Sequence, residues 1–533
     1  MKYKISIETF YKESQQYSDF IDIGYLVSNL SNLENVSISV KLNKYSYFQV
    51  ALSNLIESPP NAIMIQIDQD DVEMSMEYIK SIKTSNKDIK IIVFGREPSI
   101  NPKYFLLNNT DVCIIGEIEI TAKQLIFTLM NNSELEGCEG IAFLKDEQII
   151  INNNRVLEDN INNLLPPNRT FLSGRIVNIR VRASRGCKGH CIFCDSNYYY
   201  MQKGSKVRCR KLVNVVDEIK GLIDNYSVKY IRFDDETFEG HNITTWLNEF
   251  YHLIINNNLK FRFAISLRAE LINEDVIKHL INLQNVGLDS IFLGFESGNN
   301  VDLKFYGKRA NIEDNIRASK LLNSYDINYE YGFIMFHPYS QLNSLTDNVK
   351  FFTNNNIFTS FEIMSRKLRV YSGSRIKYKL EKDDLLKCAV DEPILNCFDY
   401  EFQDQWIKEL LLAFELFNDI LPNITLNYVK WCSLYGNLRY SSLLYDNEHI
   451  LEYFNKLNAS KLKISSICCH YANKILSFYG EKSKDIIMML DNDLKDYDFE
   501  MHEIINGMTK NSMLISRELL RRKELYQRET KII

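Results

Sequence analysis

Three cysteines fall within eight residues of the segment RASRGCKGHCIFCDS, at Cys187, Cys191 and Cys194, directly after the apolar run NIRVRAS at 178–184. Three residues separate the first pair and two the second. A loop this short wraps three thiolates round one corner of an iron–sulfur cube and leaves the fourth iron without a protein ligand. An open iron permits chemistry as well as electron transfer. Structural zinc is the competing use of such thiolates, but it brings a fourth Cys or His at ligand spacing. His190 lies inside the loop, too close to its neighbours to serve easily as that fourth ligand.

The rest of the chain has to supply a frame for this loop. Its 533 residues suggest about three domains. Up to about residue 130, the apolar runs YKISIE, AIMIQI, IKIIVF and DVCIIGE alternate with helical patterns, which predicts a doubly wound parallel sheet covered on both faces. GIAFLKDEQIII at 140–151 predicts a hairpin turning near Lys145, Asp146 and Glu147, and LLPPNRTF places a boundary near Pro166 and Pro167.

Beyond that boundary, strand-like runs recur at 178–184, 229–233, 261–268, 290–296, 329–336 and 360–371, with segments such as LVNVVDEIKGLIDNY between them that repeat apolar residues at three and four. Six βα units predict a partial barrel. From about Lys382 the pattern turns mainly helical, as in WIKELLLAFELFNDIL and SMLISRELLRRKELYQRE. The expected fold class is α/β, divided into an N-terminal doubly wound domain (1–135), a hairpin and linker (136–170), a partial (β/α)6 barrel (171–380) and a helical C-terminal accessory region (381–533).

Composition narrows the partners. With 63 Lys and Arg against 69 Asp and Glu, the net charge of −6 leaves no overall basic footprint for nucleic acid or an anionic membrane. The opening MKYKISIETFYKESQQYSDF lacks an apolar stretch of signal length, and nowhere do about 18 apolar residues run together. Eleven scattered cysteines do not form the framework of a small secreted domain. The expected setting is the cytoplasm.

CKGHCIFC resembles the CxxxCxΦC signature of the radical S-adenosylmethionine (SAM) superfamily, with Phe193 in the aromatic position before the last cysteine. The resemblance implies that Cys187, Cys191 and Cys194 hold a [4Fe–4S] cluster. It also implies that SAM chelates the open iron, and that one electron splits SAM into methionine and a 5′-deoxyadenosyl radical. Asp234 and Asp235 in IRFDDETF resemble the acidic segment that faces the ammonium group of SAM, a helix N-cap being the plainer role. Ser266 and Arg268 in FAISLRAEL resemble residues that approach its ribose and carboxylate, and Glu296 in GLDSIFLGFESGN matches the fourth-strand glutamate.

The succession TDVCIIGEIEIT, GIAFLKDEQII and LLPPNRTF further resembles a branch in which a cobalamin-binding-like domain precedes the barrel. Two departures weigh against bound cobalamin: there is no DxHxxG motif, and Arg96 and Glu97 stand where small residues are usual. FIMFHPYS, with His337, also departs from the glycine-rich fifth strand end.

Of the C-terminal cysteines, Cys388, Cys397, Cys432, Cys468 and Cys469 lack the spacing of a second cluster. Cys397 in EPILNCFDYEF is the candidate hydrogen-atom donor, a small core residue being the alternative. The expected function is modification of a ribosomally made peptide by L-to-D epimerisation. The alternatives are cobalamin-dependent methyl transfer, a carbohydrate dehydration, and, as a non-enzyme, a redox-sensing scaffold. The expected partners are a peptide or small-molecule substrate and a reducing flavodoxin or ferredoxin.

Overall fold

The structure is a computed structural model that describes residues 2–11, 19–68, 72–172, 179–196, 199, 207–387, 397–420 and 448–529. Cys388 and Cys432 lie outside the described residues. The chain divides into two compact units, one of residues 1–266 and 369–400, the other of residues 267–368 and 401–533.

The first unit begins with a seven-stranded sheet. Its strands are β1 (Tyr3–Tyr11), β2 (Val36–Lys44), β3 (Ala62–Gln66), β4 (Lys90–Phe94), β5 (Val112–Ile114), β6 (Ile141–Lys145) and β7 (Gln148–Ile151), in the order β2-β1-β3-β4-β5-β6-β7. β1 to β5 are parallel, and β3 is buried along its whole length, as a sheet covered by helices on both faces requires. The hairpin forms where expected, with Asp146 at φ +48° and Glu147 at φ +63° in its turn. It is not a separate unit, however. β6 pairs antiparallel with β5, Ile114 opposite Ile141, and so covers what would be an open sheet edge. The proline segment folds back on the helix Ile21–Leu30, where Ser28 donates to Pro166 O at 2.6 Å and Asn168 N–H to Gly24 O at 3.0 Å.

The same unit continues with β8 (Ile179–Val181), the two-residue strands β9 (Ser184–Arg185) and β10 (Arg208–Cys209), β11 (Tyr230–Phe233) and β12 (Arg262–Arg268), the last of which runs on into the second unit. β11 lies parallel between β8 and β12. The helix Leu212–Tyr226 turns Leu212, Val215, Val216, Ile219 and Leu222 inward at helical spacing. The helix Ile243–Asn256, capped by Asn242 on Thr245 N–H at 3.1 Å, sends Phe250 against Phe233 and Phe263 with ring centroids 5.5 and 5.4 Å apart. Each such aromatic pair is worth about 0.5–1.5 kcal/mol beyond the area it buries.

The second unit holds β13 (Leu288–Glu296) and β14 (Tyr329–Phe333), paired in parallel. The sixth expected strand, 360–371, is absent. Phe361–Met364 is a helical turn, and beyond it only isolated bridges form, at Lys367 and Val370. Its buried Phe361, Ile363 and Met364 had the apolar density of a strand, but a run this short cannot separate strand from buried helix. The C-terminal part is helical as expected, with helices Gln405–Ile420, Glu448–Leu476, Ser483–Met489 and Asp491–Glu529. Phe361, Phe417, Tyr471 and Tyr497 pack together there. Among the described residues, no helix is long and apolar enough to cross a membrane.

Candidate active site around the cysteine loop

The cysteine loop leaves β9 and is held from several directions, all within the first unit. From below, Asp235 at the end of β11 accepts from Ser184 Oγ at 2.5 Å and Ala183 N–H at 3.0 Å. Burial pushes its carboxyl up to about 7, although these hydrogen bonds oppose the shift. Its neighbour Asp234 pairs with Arg182 at 2.6 Å and Arg180 at 3.3 Å. Both carboxylates, expected to face the ammonium group of SAM, are thus engaged by β8 and the start of the loop.

The N-terminal sheet supplies a second grip. Arg185, two residues before Cys187, is buried between Glu119 and Glu117, the latter at 3.1 Å, and Glu117 also pairs with Arg208. Arg96, which opens the short helix Arg96–Ile100 just beyond β4, reaches Asp195 at 3.1 Å, beside Cys194, and Glu236 at 2.7 Å, just beyond β11. Its guanidinium lies 5.8 Å from the ring centre of Tyr199, whose hydroxyl donates to Gly116 O at 3.1 Å.

A third grip comes from the returning segment 369–400. Ile376 N–H donates to Ile192 O at 2.9 Å, and Arg375 donates to His190 O. Cys397 is half-buried on this segment, where burial raises the pKa of the Tyr371 hydroxyl.

Within the loop, Gly189 N–H points at Cys187 Sγ at 3.2 Å, and a Cβ built on Gly189 would lie 3.2 Å from Cys187 Sγ and 3.9 Å from Cys191 Sγ. That space is the cradle a cluster corner needs beside its thiolates. Burial pushes the Cys194 thiol up to about 12. Lys188 donates to Gly240 O and His241 O, both at 3.2 Å. Gly240 is at φ +56°, where a Cβ would meet the Trp246 ring at 2.5 Å, so only glycine fits there. Phe193 is half-buried, and Ser266 O accepts from Phe238 N–H at 2.7 Å. Among the described residues, no three His, Cys, Asp or Glu side chains gather around one ion-sized point. Cluster thiolates need no such point, since each binds a different iron.

The sheet edge that carries Arg96 is also where doubly wound domains bind ligands. Gln66 Oε1, at the end of β3, and Ser75 Oγ, in the helix Val72–Ser85 that follows, are buried without a hydrogen-bond partner among the described residues. Unsatisfied buried acceptors and donors of this kind fit a polar ligand at that edge.

In the second unit, Glu296 ends β13 at a bulge with φ +64°. Its carboxylate folds back over Gly294 and Gly332, where an added Cβ would lie 2.8 and 3.1 Å from its oxygens, and Lys308 Nζ stands 3.9 Å away. Burial raises its pKa against the pull of Lys308 and Arg366. Behind this turn, Asp302 accepts from Ser297 at 3.1 Å and Asn299 at 2.8 Å, and lies 3.2 Å from His337 Nε2. His337 is fully engaged, its other ring nitrogen meeting Tyr339 N–H at 3.3 Å. Arg268 pairs with Glu270. Sequence reasoning missed the roles of Arg185, Arg208, Tyr199 and Arg375. The arginines in RVRASR facing acidic residues at the ends of the N-terminal strands were the available signal.

Residues 181–352 match the family model described as the radical SAM superfamily. The chain is 24% identical over 412 residues to an uncharacterised methyltransferase of Pyrococcus horikoshii, covering 73% of this chain and 85% of that one. It is 27% identical over 331 residues to 4′-phospho-dehydrooxetanocin synthase of Priestia megaterium, covering 56% and 43%. Among solved structures, the cobalamin-dependent radical enzyme OxsB with aqua-cobalamin and SAM bound superposes with TM-score 0.70 at 20% identity, over 100% of this chain and 81% of that one. The radical SAM methyltransferase TsrM of Kitasatospora setae superposes with TM-score 0.60 at 13% identity, over 72% and 76%. Residues 181–352 are therefore a radical SAM domain, of the superfamily whose enzymes use a [4Fe–4S] cluster, SAM, a reductant and a substrate, and ahead of it the chain carries a domain of the cobalamin-binding-like fold.

Proposed function

We propose that this enzyme is a cobalamin-dependent radical SAM methyltransferase, with its cluster on Cys187, Cys191 and Cys194 and its cobalamin on the N-terminal domain. One observation carries the reading: the ligand-binding edge of the N-terminal sheet is fastened to the cysteine loop through Arg96 and Arg185. A ligand held at that edge therefore stands beside the cluster. The unsatisfied Gln66 Oε1 and Ser75 Oγ at the same edge support it, as does the relative named a methyltransferase.

When bound, the cluster and SAM supply the 5′-deoxyadenosyl radical that removes a substrate hydrogen, and cobalamin supplies the methyl group. The protein's part is placement. Asp235 and Ser184 fix the start of the loop, Asp234 holds Arg180 and Arg182, and Phe193 fills the loop before its last thiolate. Ser266, Arg268 and Glu296 are each assigned to SAM. A flavodoxin or ferredoxin delivers the electron.

Epimerisation, the narrower expectation, gives way here, because none of the relatives named above is an epimerase. It stays as the second reading on the strength of Cys397, a half-buried thiol on the segment that bonds to the loop.

The test is anaerobic purification with cobalamin present, followed by mass spectrometry after adding SAM and a strong reductant. Wild type should retain about one cobalamin and release both 5′-deoxyadenosine and S-adenosylhomocysteine, and Cys191→Ala should yield no 5′-deoxyadenosine. A cluster-loaded wild type that keeps no cobalamin and releases 5′-deoxyadenosine alone overturns methyl transfer and turns attention to Cys397→Ala in deuterated water.

A further inference from the structure

Strands β8, β11 and β12 have one face on the helices and one turned away from them. Phe233 and Phe263 pack against Phe250 on the helix side, so their alternates Arg232 and Ala264 lie on the opposite, inner face. The register places Arg232 directly between Arg180 on β8 and Ala264 on β12. Strands in such a pair are about 4.8 Å apart, so two guanidinium-bearing side chains stand next to each other on one face.

Like charges directly opposite destabilise a sheet unless something neutralises them. Here the neutralisation is incomplete. Among the described residues, Asp234 is the only carboxylate paired with Arg180, through Nη1 alone, and its shorter bond is to Arg182. The Arg180 side chain is still 41% exposed. Arg232 is exposed and, among the described residues, has no hydrogen-bond or ion-pair partner. Ala264, on its other side, is small enough to leave room for a ligand.

We propose that Arg232 and Arg180 form an oxyanion site that anchors the substrate of this enzyme through a phosphate ester or carboxylate. The site lies two residues before Asp234, which follows β11, and two before Ser266 on β12. Two planar guanidinium forks match the oxygens of such a group, and the one carboxylate seen beside them, Asp234, is shared with Arg182. The proposal deepens the functional reading above by naming the substrate class, and it rests on these strands facing substrate.

The test titrates the cluster-loaded full chain with inorganic phosphate and, separately, with acetate, followed by isothermal calorimetry and, for phosphate, by 31P line broadening. Wild type should bind at least one of them. Arg232→Gln should weaken binding tenfold or more, Arg232→Lys should restore part of it, and Ala264→Glu should abolish it by placing a carboxylate opposite Arg232. Preference for phosphate assigns a phosphate ester, and preference for acetate a carboxylate. Absence of binding to wild type, or binding that survives both Arg232→Gln and Ala264→Glu, overturns the site. If Arg232→Gln fails to load its cluster, Ala264→Glu decides the matter. Because no SAM cleavage enters the titration, its failure is distinct from failure of the methyltransferase reading.

Discussion

Asp235 and Glu296 are both carboxylates at the ends of parallel strands, one in each unit, and burial raises the pKa of both. Their surroundings differ. Asp235 accepts two hydrogen bonds from the loop it supports, on ordinary backbone. Glu296 sits at φ +64° with its nearest cation at 3.9 Å. A non-glycine residue in that region costs on the order of 1–3 kcal/mol and persists only where its surroundings impose it. The satisfied carboxylate is part of the frame, while the strained one has its cation only at 3.9 Å.

The strongest way to break this contrast is to attack the frame. Arg185→Ala leaves Glu117 and Glu119 buried without their shared cation, which should cost about 3–5 kcal/mol, read as a fall in chemical-denaturation midpoint together with loss of cluster content. A loss below 1 kcal/mol would show that the loop does not depend on the N-terminal sheet.

Asp235 gives the next effect, through pH. The native state holds its proton to about pH 7, whereas the unfolded chain releases it near the ordinary value of 3.8. Its contribution to stability is therefore complete below pH 4 and lost as pH rises to 7, on the order of 4 kcal/mol. Asp235→Asn should flatten unfolding free energy over that window, and an unchanged slope would move Asp235 out of the frame.

Glu296→Gln should fold within about 1 kcal/mol of wild type, since it keeps the shape and surrenders only a distant ion pair. It should nonetheless lose most 5′-deoxyadenosine formation. Smallest of all, Glu296→Gly should stabilise the fold by about 1 kcal/mol through relief of the positive φ, while abolishing SAM cleavage. Thermal melts with activity alongside would show stability and activity moving in opposite directions; a destabilised Glu296→Gly removes the strain argument.

Much of this was legible in the sequence because it is local. The cysteine spacing, the amphipathic helix after β10 and the apolar runs of β11 to β14 are each contained in a few residues. The hairpin was legible too, but its merger into the N-terminal sheet was not, because pairing Ile114 with Ile141 answers to an exposed edge and leaves no local pattern. The partners of the site arginines were hidden for a similar reason: Arg96 and Glu236 are 140 residues apart, and Arg182 and Asp22 160. Asp234 and Asp235 invited a ligand role from their motif, yet only three-dimensional placement shows what their oxygens already hold.

The bond from Arg375 to His190 O spans 185 residues. On a ribosome adding roughly 5–20 residues per second, the cysteines emerge on the order of 10–40 s before the segment that closes over them exists. Synthesis itself opens an interval in which three thiols are presented without their cover, and the arrival of the returning segment ends it.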